Sequence, residues 1–104
     1  MIMSYKYIES KKSLKDKKLI LKSHSKNSQD KLLYLVNDIL DNPRNKNTIG
    51  KPEQLKHFDK EMWSRELTQK DRIVYGIEQG KDYDMPEENE IVVFYQYLEH
   101  YTDK

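Results

Sequence analysis

Leu32, Leu35, Val36, Ile39 and Leu40 recur three and four residues apart, and Pro43 stops the repeat. That spacing predicts a helix with one apolar face, ending at about Asn42. Ser28 is its candidate N-cap, and Asp30 suits the positive end. Such a face must be covered, and only strands lie downstream to cover it. Residues 62–67 and 72–77 read as strands joined by the polar turn 68–71, a hairpin. Residues 91–97 carry the strongest strand signal in the chain, and residues 5–8 alternate as a first strand. Residues 11–23 read as a lysine-rich helix with a ragged stripe of Leu14, Leu19, Ile20 and Leu21. The expected order is therefore β-α-α-β-β-β. It implies an α+β fold with two N-terminal helices packed on one face of a mostly antiparallel four-stranded sheet. Residues 42–50 and the acidic stretch 78–90 are expected to be loops.

A chain of 104 residues fits a single domain spanning 1–104. A domain of this size buries only roughly 60–65% of its unfolded surface. Charged and apolar residues each make up 36% of the chain, yet eleven aromatics give it something to bury, which argues against disorder. The absence of cysteine excludes a disulfide scaffold and thiolate zinc sites. The longest apolar run, residues 32–36, is far too short to span a bilayer, and residues 1–10 hold no apolar signal segment. A soluble cytoplasmic protein with no membrane contact is the expectation.

The net charge of +1 conceals an asymmetry. Residues 1–77 hold 17 Lys/Arg against 10 Asp/Glu, a balance of +7, whereas residues 78–104 hold 2 against 8, a balance of −6. A basic body suits a polyanionic partner, because each neutralised phosphate releases counterions. The same lysines also serve simple solubility, so charge alone does not select a function.

Three histidines, His24, His57 and His100, are candidates for proton transfer near neutral pH. His24 lies in a polar linker and reads as solvated. The others stand in richer surroundings: Gly50-Lys51-Pro52-Glu53-Gln54-Leu55-Lys56-His57, then Trp63-Ser64-Arg65, then Asp71-Arg72-Ile73-Val74-Tyr75, and finally His100-Tyr101. This ordered set resembles the YoeB/Txe family of toxins, within the RelE superfamily. The match is dense from Gly50 to Tyr75 and returns at the tail; the first 49 residues agree only in element order, helix character and length.

The resemblance implies a metal-independent endoribonuclease, without cofactor, that cuts mRNA in the ribosomal A site. It also implies a co-expressed antitoxin of the YefM/Axe kind and, commonly, a homodimer. Glu53 matches the general base, Arg72 the arginine that stabilises the scissile phosphate, His100 the general acid and Tyr101 its neighbour in the site. Lys51, Lys56, His57 and Arg65 match basic positions along the RNA path. The chemistry is coherent in its own right. A carboxylate can take the 2′-hydroxyl proton, a guanidinium can face the charged phosphorane, and an imidazolium can protonate the leaving 5′-oxygen.

Each residue also has a plainer reading. Glu53 follows a proline and can be an ordinary surface carboxylate. Arg72 can pair with Glu66 or Asp71 across the hairpin, an interaction worth little. His100 and Tyr101 can be a frayed tail. Trp63 and Tyr75 suit the core better than base stacking, and Tyr95 and Tyr97, on one strand face, suit packing on a helix. The chain also departs from the family. Glu66 replaces a second arginine, the stretch 78–90 is longer and more acidic, and Leu98-Glu99 stands where an aromatic and an arginine are typical. A carboxylate at Glu99 close to His100 would keep that histidine protonated. These departures favour an alternative: a weakened homologue that binds antitoxin or RNA without cutting. A purely structural small α+β protein is the third possibility.

Overall fold

The computed structural model describes residues 4–23 and 25–99. The order is β1 (Tyr7–Glu9), α1 (Lys11–Ser23), α2 (Lys26–Asp41), β2 (Glu53–Leu55), β3 (Glu61–Glu66), β4 (Arg72–Gln79), a short 3-10 turn (Gly80–Tyr83) and β5 (Glu90–Gln96). The α+β class, the two helices and the hairpin follow the sequence expectation.

Three details differ from that expectation. Among the described residues the sheet has five strands, ordered β1-β5-β4-β3-β2, because Glu53–Leu55 pairs antiparallel with β3 at the edge. Three residues with one apolar side chain give no usable alternation, so sequence patterning does not reveal this strand. The N-cap of α2 is Ser25, whose side chain accepts from the Ser28 amide. The stretch 78–90 is not all loop: β4 continues to Gln79, and the 3-10 turn follows.

The helices cover one face of the sheet. Helix α2 buries Leu32, Leu35, Ile39 and Leu40 against Trp63, Ile73, Tyr75 and Phe94. Each such side chain contributes about 1.5–3 kcal/mol when fully buried. Helix α1 behaves otherwise. Of its expected stripe only Ile20 is buried, while Leu14, Leu19 and Leu21 are exposed. Its inner face is Ser13, Asp16 and Ile20. Asp16 is buried because its carboxylate accepts from the Tyr97 and Leu98 amides at 3.0 and 3.2 Å, closing the turn after β5.

Among the described residues no helix covers the opposite sheet face. Leu55, Met62 and Val74 form a small second cluster there, edged by Tyr95. Tyr97 instead joins the main core and donates to Glu9 Oε2 at 2.7 Å. The two tyrosines thus do not share a face, because Tyr97 lies beyond the end of β5 and a register shift interrupts β4–β5 pairing at Val74/Tyr75. Among the described residues no helix is long and apolar enough to cross a membrane.

Candidate active site on the helix-free sheet face

Directly opposed residues of an antiparallel pair project to the same side. Glu53 of β2 opposes Ser64 of β3, and Ser64 opposes Val74 of β4. Two residues further along, Glu66 of β3 opposes Arg72 of β4. Glu53, Ser64, Glu66 and Arg72 therefore share the face that the helices leave open. The strand expectation around Arg72 accounts for half of this convergence. The edge pairing of β2, invisible in sequence, accounts for the rest.

Arg72 does not form the surface ion pair considered for it. Its Nε donates to Ser64 Oγ at 2.9 Å, and one terminal nitrogen donates to the Lys51 carbonyl at 2.9 Å. Two fixed acceptors thus orient a planar guanidinium without neutralising its charge. Asp71 is engaged elsewhere: it accepts from Thr68 Oγ1 at 2.9 Å and from the Glu99 amide at 2.8 Å. Glu66 lies 3.8 Å from the Lys51 ammonium.

Ser64, fully buried, and Lys46 are site residues that sequence reasoning gave no role. Lys46, Pro52, Glu53, Gln54, Lys56 and His57 line an open groove of about 460 Å³. Three basic side chains thus surround the exposed Glu53. The signal for Ser64 was available in the alternation of β3, which puts it on the opposite side from Trp63 and Arg65.

Arg65 corrects one expectation. It is 0% exposed and faces the helices, where Nη1 meets Asp38 Oδ2 at 2.5 Å and the Ile49 carbonyl at 3.4 Å. Strand alternation turns it away from any RNA on the open face. Lys51 sits at the rim, with its side chain 80% exposed. His100 and Tyr101 lie outside the described residues. The preceding residue is well held: the Glu99 carbonyl accepts from the Arg72 amide at 3.0 Å, and the Glu99 carboxylate pairs with Lys12 at 3.0 Å. Burial opposes the Lys12 charge, but hydrogen bonds to Glu99 and Asp16 outweigh it and raise the Lys12 pKa. Among the described residues no group of three His, Asp or Glu side chains is placed to hold a metal ion.

Beyond the second cluster lies a further polar group. Tyr95 hydroxyl bonds the Glu78 carboxylate, Tyr83 donates to Glu78 at 2.5 Å, and Lys60 contacts Tyr95 hydroxyl at 2.7 Å. Burial, and then the Glu78 contact, push the Tyr95 phenol up to about 12, so it stays a neutral donor at physiological pH.

Helices on one face, an open face opposite and a parallel β1–β5 edge define a small α+β domain with a RelE-like fold. Similar solved structures carry the same fold. A YoeB/ParE toxin from Agrobacterium tumefaciens superposes with a TM-score of 0.73 at 24% identity, covering 92% of this chain and 99% of that one. The YoeB dimer from Staphylococcus aureus gives 0.72 at 22%, covering 95% and 100%. The archaeal RelE–RelB complex from Pyrococcus horikoshii OT3 gives 0.64 at 13%, covering 93% and 96%. A family profile described as the YoeB-like toxin of bacterial type II toxin–antitoxin systems matches residues 10–101, and the chain belongs to that family. No curated protein sequence matches the chain significantly.

Proposed function

We propose that this toxin is a ribonuclease that cleaves mRNA in the ribosomal A site without a metal or other cofactor. The observation that carries the reading is the convergence of Glu53 and Arg72 on either side of Ser64, on an open face beside a basic groove. In the reaction Glu53 takes the proton of a 2′-hydroxyl, whose oxygen bonds to the adjacent phosphorus. The P–O5′ bond breaks, and the departing oxygen takes a proton from His100. Arg72 faces the phosphorane oxygens as negative charge builds. The products are a 2′,3′-cyclic phosphate and a 5′-hydroxyl.

His100 is proposed as the acid because it matches the general acid of the family that the sequence resembles, and an imidazolium titrates where it can protonate a departing oxygen near neutral pH. Tyr101 would complete the site beside it. Lys51, Lys56 and His57 would hold the RNA backbone, joined by Lys46. The S. aureus neighbours include a YoeB–YefM heterotetramer, similar to this chain at 23% identity with a TM-score of 0.69. A YefM-like antitoxin, a homodimer and a cytoplasmic site of action are proposed for this toxin accordingly.

The test is cleavage of mRNA on programmed ribosomes, with both new ends mapped. Glu53→Gln, Arg72→Ala and His100→Ala should each lower the rate about 10²–10⁴-fold, as expected for loss of a proton-transfer or charge-stabilising group. New 3′-hydroxyl ends would exclude attack by the 2′-hydroxyl. One observation favours the weakened-homologue reading: Glu66 adds a carboxylate to the face that receives the phosphate. Under that reading the wild type arrests growth no more than its variants do.

A further inference from the structure

Arg65 is among the largest fully buried side chains of the described residues, and the burial of its guanidinium is poorly compensated. Nη1 reaches Asp38 Oδ2 and the Ile49 carbonyl, but Nε and Nη2 have no hydrogen-bond partner among the described residues. A buried ion pair with unmet donors is a weak source of stability, and apolar replacements of such pairs are often neutral or better. What the pair does accomplish is geometric. Asp38 also accepts from Thr48 Oγ1 at 2.9 Å, so α2 and β3 together grip residues 48 and 49. Gly50 and Lys51 follow with φ of +84° and +46°, and the Gly50 carbonyl accepts from the Glu66 amide at 2.6 Å. This left-handed pair turns the Lys51 carbonyl onto Arg72 and delivers the chain, two residues later, to Glu53.

We infer that Arg65, with Asp38, is a positioning residue for catalysis. It acts through the 48–51 turn to fix the orientation of Arg72 and the entry of β2, and contacts no substrate itself. The inference rests on the ribonuclease reading for its kinetic arm only.

Arg65→Met/Asp38→Leu removes both charges while keeping apolar bulk, and Thr48→Val cuts only the loop's side-chain tie. Both are made in the full chain and released from the co-purified antitoxin. The double variant should lose at least tenfold in kcat on programmed ribosomes, with KM changed less than twofold; Thr48→Val should lose about threefold. In both, the Arg72 Nε–H resonance, assigned through Arg72→Lys, should broaden or move. Arg65→Lys should recover little, because the shorter lysine side chain falls short of the position from which Nη1 meets both Asp38 and the Ile49 carbonyl. Wild-type kcat with an unmoved Arg72 resonance in a folded variant overturns the inference. If the double variant does not fold, Thr48→Val decides alone by the same two readouts. A wild-type protein that cuts nothing refutes the ribonuclease reading, while the Arg72 resonance still decides whether the clamp orients it.

Discussion

Arg72 donates its Nε–H to the hydroxyl of Ser64 at 2.9 Å, and Ser64 is fully buried. A buried hydroxyl with a fixed guanidinium across it defines a stiff element beside Glu53. Ser64→Ala removes that acceptor and little volume. We expect kcat for mRNA cleavage to fall about tenfold, since small misplacements of charge-stabilising groups are costly. Circular dichroism and antitoxin affinity should hardly change. A kcat within twofold of wild type would mean the Lys51 carbonyl suffices to orient Arg72.

Gly50 should resist replacement. Its φ is +84°, and an added Cβ would stand 2.9 Å from Leu35 Cδ2 and 3.2 Å from Arg65 Cβ. Backbone strain and the crowded contact together predict that Gly50→Ala costs about 1–3 kcal/mol. Urea titration measures it; a loss under about 0.5 kcal/mol would contradict the geometry.

Glu66→Arg should strengthen RNA binding. The carboxylate opposes Arg72 in the β3–β4 register, on the face proposed to meet the phosphodiester. Reversing its charge should lower KM on programmed ribosomes. It should also steepen the salt dependence of RNA binding by about one unit of log K per log salt. An unchanged salt slope would place Glu66 off the RNA path.

Arg44 bridges two acidic residues, Glu61 at 2.8 Å and Glu90 at 2.8 Å. Its hydrogen bond lowers the Glu61 pKa below the ordinary 4.5, against some burial. A folded pKa below the unfolded one gives stability that is present above the unfolded value. That stability is lost as pH falls through the folded value. Both side chains are partly exposed, so screening limits the pair to about 1 kcal/mol. Thermal unfolding of wild type and Glu61→Gln should therefore differ at pH 7 and converge below pH 4.5. A constant gap across that range would assign the effect to packing on Trp63, whose indole donates to Glu61 at 2.8 Å.

Local patterning in the sequence determined the two helices, the hairpin and the last strand. Leu32, Leu35, Ile39 and Leu40 report a face, and Pro43 a stop, without reference to anything distant. The ordered motifs marked Glu53, Arg72 and His100 as the candidates on which the proposed chemistry rests. Tertiary structure alone decided three matters. Pairing of residues 53–55 with β3 turned a loop carboxylate into a neighbour of Ser64, and three residues carry too short a pattern to announce a strand. Strand alternation buried Arg65 under α2, where Asp38 neutralises it; a charge by itself does not reveal which face of a sheet it occupies. The leucines of α1 stayed outside because its buried contact with β5 is made by Ser13 and by Asp16, which satisfies backbone amides of residues 97 and 98. Sequence spacing records what a helix or strand does to its own side chains, whereas the partner across the sheet is fixed only when the distant chain arrives.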